Sequence, residues 1–239
     1  MTMKKNKFSL VILGCAFLIS CTNNPPPPRT TIVDTRTVRT ASGSDITILT
    51  QNAINGDVIK DTDNSLNIVS KADNAKVIGL KTLQFAAMLL GGGSGSVDGY
   101  SKEQLKGTHI DSVKNKTMEY LNPELDAILE KLPATDRSVK ITVEPYKFKL
   151  IYDGLDNNNY EFIYSTTISA GNFYQLCSGN YLTSSERIQP IDVWERNNYE
   201  LTQIMVKKII KNCFEDISHA ENLAKLTNAI SGEDSQREK

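Results

Sequence analysis

The chain has only two histidines, His109 and His219, one tryptophan and four cysteines in 239 residues. A metal centre built from imidazole and thiolate needs three or four such ligands close together, and that supply is missing. Lys and Arg number 27 against 28 Asp and Glu, a formal charge of −1. With no basic surplus, a nucleic-acid surface is not expected. Phosphate-binding and nucleophile motifs are also missing: there is no G-x-S-x-G elbow, no S-x-x-K pair and no P-loop. Gly93-Ser94-Gly95 starts like a dinucleotide loop but follows an apolar stretch with helical spacing where a strand is needed. Asp61-Thr62-Asp63 starts like a calcium loop, yet Leu66 stands where the turn needs Gly and Ala72 where the bidentate Glu belongs. Asp156-Asn157-Asn158 fails in the same way at Glu161, so both are expected to be turns. No cofactor and no metal ligand set is expected.

What is present begins at the N-terminus. Lys4, Lys5 and Lys7 precede an uncharged, largely apolar run from Phe8 to Ile19. About a dozen residues is the length of a signal-peptide core and well short of the roughly 20 that span a bilayer. The run ends in Leu18-Ile19-Ser20-Cys21, which resembles the lipobox of bacterial lipoproteins: Leu at the third position before the cut, a small residue just before it, Cys just after. The resemblance covers about the first 21 residues. It implies that residues 1–20 are a signal peptide. It also implies that the Cys21 thiol receives a diacylglyceryl group and that the new amine is acylated. A second box ending at Cys15 would cut the apolar run in half, so Cys21 is preferred. A plain secretory signal ending near a cysteine is the alternative. Thr22, in place of the Asp that commonly retains such proteins in the inner membrane of enteric bacteria, implies an outer-membrane anchor.

Removing the signal takes three basic residues and no acidic one, which leaves a formal charge of −4. It also removes Cys15, and the lipid would occupy Cys21. Cys177 and Cys213 remain, and in an oxidising periplasm two thiols are expected to pair. Two separate buried thiols are the other possibility.

Residues 21–31 read as a lipidated cysteine and tether, because Pro25-Pro26-Pro27-Pro28 favours extended polyproline II. Residues 32–230 read as one α+β domain, divisible into a 32–95 part and a 100–230 part, and residues 231–239 as a polar, disordered tail. Between Ile32 and Ser70, alternation such as Ile46 and Ile48 predicts two to four short strands with a turn at Asn55-Gly56-Asp57, unless the segment is mobile. Ala75 to Leu90 is the most apolar part of the mature chain. Its spacing predicts a helix, either buried in the core or docked on a partner or lipid, and the glycines from Gly91 stop it. Asn122-Pro123-Glu124 predicts a helix start, with Leu125, Ile128, Leu129 and Leu132 on its inner stripe. Val139 to Ile168 predicts a long antiparallel hairpin. Val139, Ile141 and Val143 share one parity, whereas Tyr146, Phe148, Leu150 and Tyr152 share the other. A strand cannot change faces without an extra residue, so a bulge or bend is expected at Glu144-Pro145. Residues 171–197 read as irregular. A helix from Asn198 to about Ile217 should bury Thr202, Met205, Val206, Ile209, Cys213 and Ile217 and expose Lys207, Lys208, Lys211 and Glu215.

The expected fold is therefore an antiparallel sheet packed on one face by helices. The hairpin followed by a C-terminal helix resembles, in layout only, small accessory lipoproteins of envelope transport and assembly machines. That resemblance implies a non-enzymatic scaffold in the outer membrane, facing the periplasm, with an envelope protein as partner and the membrane reached through Cys21. Two other readings stay open. One is a carrier of lipid or another apolar ligand, in a groove between the hairpin and the 77–90 helix. The other is an envelope hydrolase using His109 or His219.

Overall fold

The computed structural model describes residues 29–54, 63–73, 102–133 and 139–231. The lipobox and Cys21, the proline run, the Asn55-Gly56-Asp57 turn, the 75–90 helix with its glycines, and residues 232–239 lie outside the described residues.

Eight strands form one strongly curled sheet with helices packed on it. In chain order the strands are β1 Arg29–Arg39, β2 Asp45–Ile54, β3 Ser65–Val69, β4 Thr108–Lys114, β5 Val139–Tyr152, β6 Asn159–Ala170, β7 Phe173–Ser178 and β8 Ile188–Pro190. The helices are α1 Thr117–Leu129, α2 Ser184–Arg187, α3 Ile191–Glu195, α4 Glu200–Ile217 and α5 Ala220–Ser231.

The β5–β6 hairpin is the spine. On one edge of β5, β2 pairs with its first half (Ile46 with Val139 to Thr50 with Val143), and β3 pairs with its second half (Asn67 with Lys149 to Val69 with Ile151). The free edge of β6 is shared likewise, by β7 at Ser165–Ala170 and by β8 at Asn159–Glu161. The sheet thus reads β1-β2-β5-β6-β7 at one end and β4-β3-β5-β6-β8 at the other. Both β2 and β3 run parallel to β5, which corrects the expectation of an antiparallel sheet to a mixed one. Parallel neighbours need long crossovers, and the pairing of segments so far apart leaves no local trace in the sequence. The strands of the 32–70 segment and the hairpin share this one sheet. β1 also takes in Arg29, Thr30 and Thr31, assigned above to the tether, because each finds a partner on β2.

The expected bulge is present, one residue further on. Register slips between Pro145 and Lys147, so that Tyr146 is the extra residue. Buried positions change from Ile141 and Val143 to Phe148 and Leu150, as the parity requires. The slip falls where β2 has ended and β3 has not begun. Pro145, which has no N–H to give, sits in that break.

The helices cover one face. From the sheet come Ile46, Ile48, Ile141, Val143, Phe148, Leu150, Phe162 and Ile168; from α1, Leu121, Leu125 and Leu129; from α4, Val206, Ile209, Ile210 and Ile217; from α5, Leu226 and Ile230. Phe162 lies 5.8 Å from Phe148, edge to face, and 5.7 Å from Trp194, whose Nε1 donates to the Tyr160 carbonyl at 3.0 Å. All six positions expected to face inward on the C-terminal helix are buried, and the four expected to face outward are exposed.

Two expectations are corrected. Helix α1 starts at Thr117, five residues before Asn122, and Pro123 lies inside it. Asn115 provides the start, its Oδ1 accepting from the Thr117 backbone N at 3.1 Å and hydroxyl at 2.6 Å. The 171–197 stretch is not irregular, since it holds β7, α2, β8 and α3. In β7, Phe173 and Cys177 point inward while Tyr174 and Leu176 point outward, so apolar residues on both faces hide the alternation.

Candidate functional site

Cys177 and Cys213 form a disulfide with Cα atoms 5.5 Å apart, tying β7 to α4 across the core. Among the described residues neither histidine ring is hydrogen-bonded to a serine, threonine or cysteine side chain. His109 Nδ1 meets Asn67 Oδ1 at 3.1 Å and its Nε2 meets Asp111 Oδ1 at 3.1 Å. The His219 ring has no hydrogen-bond partner among the described residues. It borders a shallow hollow of about 610 Å³ between α1 and α4, with Lys131, Lys211 and Phe214. Among the described residues no group of three or more His, Cys, Asp or Glu is placed to hold a metal ion, and no helix is long and apolar enough to cross a membrane.

The feature that sequence reasoning missed is on the face turned away from the helices. Residues that alternate outward from three neighbouring strands line a groove of about 710 Å³: Glu144, Tyr146 and Lys147 from β5, Ile163, Ser165 and Thr167 from β6, Tyr174, Leu176 and Ser178 from β7. The bulge contributes directly, because Tyr146 and Lys147 both reach this face as the strand changes parity. Tyr174 is 65% exposed and Leu176 41%, which is unusual for large apolar side chains beside one another on a strand. Tyr146 is half-buried, and burial raises its hydroxyl above the ordinary tyrosine pKa, with Asp63, Glu103 and Glu144 adding to the shift.

Ion pairs frame the groove. Lys147 is bound to Glu103, and Arg187 Nε lies 2.8 Å from Glu161 Oε1. Glu144 Oε1 accepts from Gln51 Nε2 at 2.7 Å. Ser165 lies on the floor between Lys147 on β5 and Ser178 on β7. It is 9% exposed, and its Oγ has no hydrogen-bond partner among the described residues. Beyond one end of the groove, Val69, Ile151 and Tyr152 form a small second cluster on which Leu105 and Ile163 pack.

Behind the bulge sits Asp63, which the sequence places only in a turn. Its N–H donates to the Tyr146 carbonyl at 3.3 Å, its Oδ2 accepts from the Phe148 N–H at 2.9 Å, and its Oδ1 accepts from Asn67 Nδ2 at 2.7 Å. Lys149 Nζ is 3.9 Å away. Burial raises the carboxyl pKa, with Lys149 and the Phe148 N–H pulling the other way, and burial lowers that of Lys149. Asp63 therefore closes the gap between β2 and β3 and holds the bulge that shapes the groove.

No family model matches the chain, and no curated protein or solved structure is detectably similar to it. The site must therefore be read from its own chemistry.

Proposed function

We propose that the protein is a non-enzymatic accessory lipoprotein of the bacterial envelope, anchored in the outer membrane through acylated Cys21 and facing the periplasm. In this reading it serves an envelope transport or assembly system, and the uncovered face of β5, β6 and β7 is its working face. One observation carries the reading. The helix side of the sheet is covered and its apolar residues buried, whereas the opposite face keeps a groove with Tyr174 and Leu176 exposed on β7. The Cys177–Cys213 disulfide is consistent with an oxidising compartment. The polyproline run following Cys21 would hold the folded part away from the lipid at about 3.1 Å per residue.

The test is capture from detergent-solubilised membranes with wild type, Cys21→Ala and Tyr174→Arg baits, alongside metabolic labelling with palmitate. Wild type should incorporate label and bring down a defined set of envelope components. Cys21→Ala should lose the label and the membrane fraction. Tyr174→Arg should stay lipidated but lose the partners. An unlabelled wild type would remove the anchor from the argument, and capture unaffected by Tyr174→Arg would remove the working face.

A further inference from the structure

The groove floor contains a group that the fold leaves without a use. Ser165 is nine-tenths buried, yet its hydroxyl has no partner among the described residues. Buried hydroxyls are nearly always hydrogen-bonded, and an orphan is a cost to the folded state. Its two cross-strand neighbours are engaged elsewhere. Lys147 is drawn to Glu103, and Ser178 Oγ accepts from the Asn180 N–H at 3.4 Å. Ser165 lines a groove whose volume falls within the range of about 300–1,000 Å³ typical of small-molecule sites, with its Oγ just beneath the surface.

We propose that this groove binds a short, uncharged oligosaccharide, with Ser165 meeting a sugar hydroxyl and Tyr174 stacking on a sugar ring at the rim. The proposal rests on the reading of this face as the working face. The charges select against an anion: Lys147 is already paired with Glu103 and Arg187 with Glu161, leaving Glu144 as the surplus charge. A phosphate, a sulfated glycan or an acidic lipid headgroup would find no uncompensated cation. An acyl chain is also a poor fit, because Ser165, Thr167 and Asn180 interrupt the apolar lining. A sugar presents apolar ring faces and hydroxyl edges in turn. The groove presents tyrosine rings and Leu176 beside Ser, Thr, Asn and carboxylate groups, and each half of the ligand has a counterpart.

The experiment is isothermal titration of the full chain, held in a detergent without a sugar headgroup. The probes are the N-acetylglucosamine tetramer and cellotetraose, with tetragalacturonate as the anionic comparison. At least one neutral tetramer should bind, and tetragalacturonate should not. Tyr174→Ala should weaken binding about tenfold, as loss of an aromatic anchor does. Ser165→Ala should weaken it several-fold while leaving the melting temperature unchanged or higher, because an unpaired hydroxyl contributes nothing to the fold. A serine with a structural role would instead lower the melting temperature. No binding of either neutral tetramer at 10 mM, binding of tetragalacturonate alone, or a Ser165→Ala variant of unaltered affinity overturns the proposal. If the sugars fail while Tyr174→Arg still abolishes partner capture, the sugar assignment falls and the docking surface stands.

Discussion

Asp63 carries three separate duties with one side chain: it caps the Phe148 amide, orients Asn67 and faces Lys149. Truncating it would leave a buried backbone donor and an unbalanced ammonium together. Asp63→Ala should therefore cost about 2–4 kcal/mol, measured by urea denaturation at neutral pH. A change below 1 kcal/mol would mean that water takes over those contacts. The sign of its pH dependence is unusual for a carboxylate. Its folded pKa is raised above the ordinary 3.8, so the native state holds the proton more tightly than the unfolded chain. That contribution to stability is full below the ordinary value and is lost as pH rises through the raised one. Tyr181 behaves alike at the other end of the scale. Its hydroxyl donates to Asp216 Oδ2 at 2.9 Å and accepts from Gln175 Nε2 at 2.9 Å, bridging α4 and β7. Burial, followed by the Asp216 hydrogen bond, pushes it up to about 12. Its contribution is complete below pH 10 and should disappear between about pH 10 and 12. Tyr181→Phe should flatten the alkaline stability profile over that interval, and an unchanged profile would assign the transition to other tyrosines.

Among the elements, the β5–β6 hairpin was legible in the sequence to within two residues and its bulge to within one, and the reason is geometric. A period of two that slips from Ile141-Val143 to Phe148-Leu150 admits only an inserted residue. The inward and outward faces of α4 were equally plain, since Val206, Ile209, Cys213 and Ile217 repeat at helical spacing. The parallel pairing of β2 and β3 with β5 was not legible, because it joins segments about 80 to 90 residues apart and neither partner marks the other. The groove was missed for a related reason. Its lining comes from three strands, each contributing every second residue, and β7 itself was obscured by Tyr174 and Leu176 lying outside rather than inside. No local pattern announces an unpaired Ser165. The hairpin logic can be tested by changing the number of residues at the bulge. Inserting one further residue after Tyr146 would turn Phe148, Leu150 and Tyr152 outward if the ladder still takes up a single extra residue. That variant should fail to give a cooperative melt in near-ultraviolet circular dichroism, whereas removing Tyr146, which leaves Ile141, Val143, Phe148 and Leu150 on one face at an unbroken period of two, should still melt cooperatively. A cooperatively folded insertion variant would show that β5 can slide past β3.

At the scale of the molecule, the disulfide joins the two layers, and it does so at the rim of the groove. Cys177 faces inward from β7 to Cys213 on α4, while Tyr174 and Leu176 face outward from the same six-residue strand. Among the described residues β7 is an edge, paired only with β6, so no described strand steadies its outer side. Three attachments hold it among the described residues: the β6 ladder, the Gln175–Tyr181–Asp216 hydrogen bonds, and the disulfide to α4. The bond closes a loop of 36 residues, for which chain entropy gives about 3–4 kcal/mol. Replacing both cysteines by alanine should lower the unfolding free energy by about that amount. The spine is held differently, since β5 has hydrogen-bonded neighbours on both edges. In hydrogen exchange, amides of β7 should therefore become faster in the double variant by a larger factor than amides of β5. Equal acceleration in both strands would mean that the bond stabilises only through the unfolded chain. Selective acceleration of β7 would mean that it also holds the groove's outer wall in place, so that ligand or partner affinity at Tyr174 should fall with the same reduction that loosens the strand.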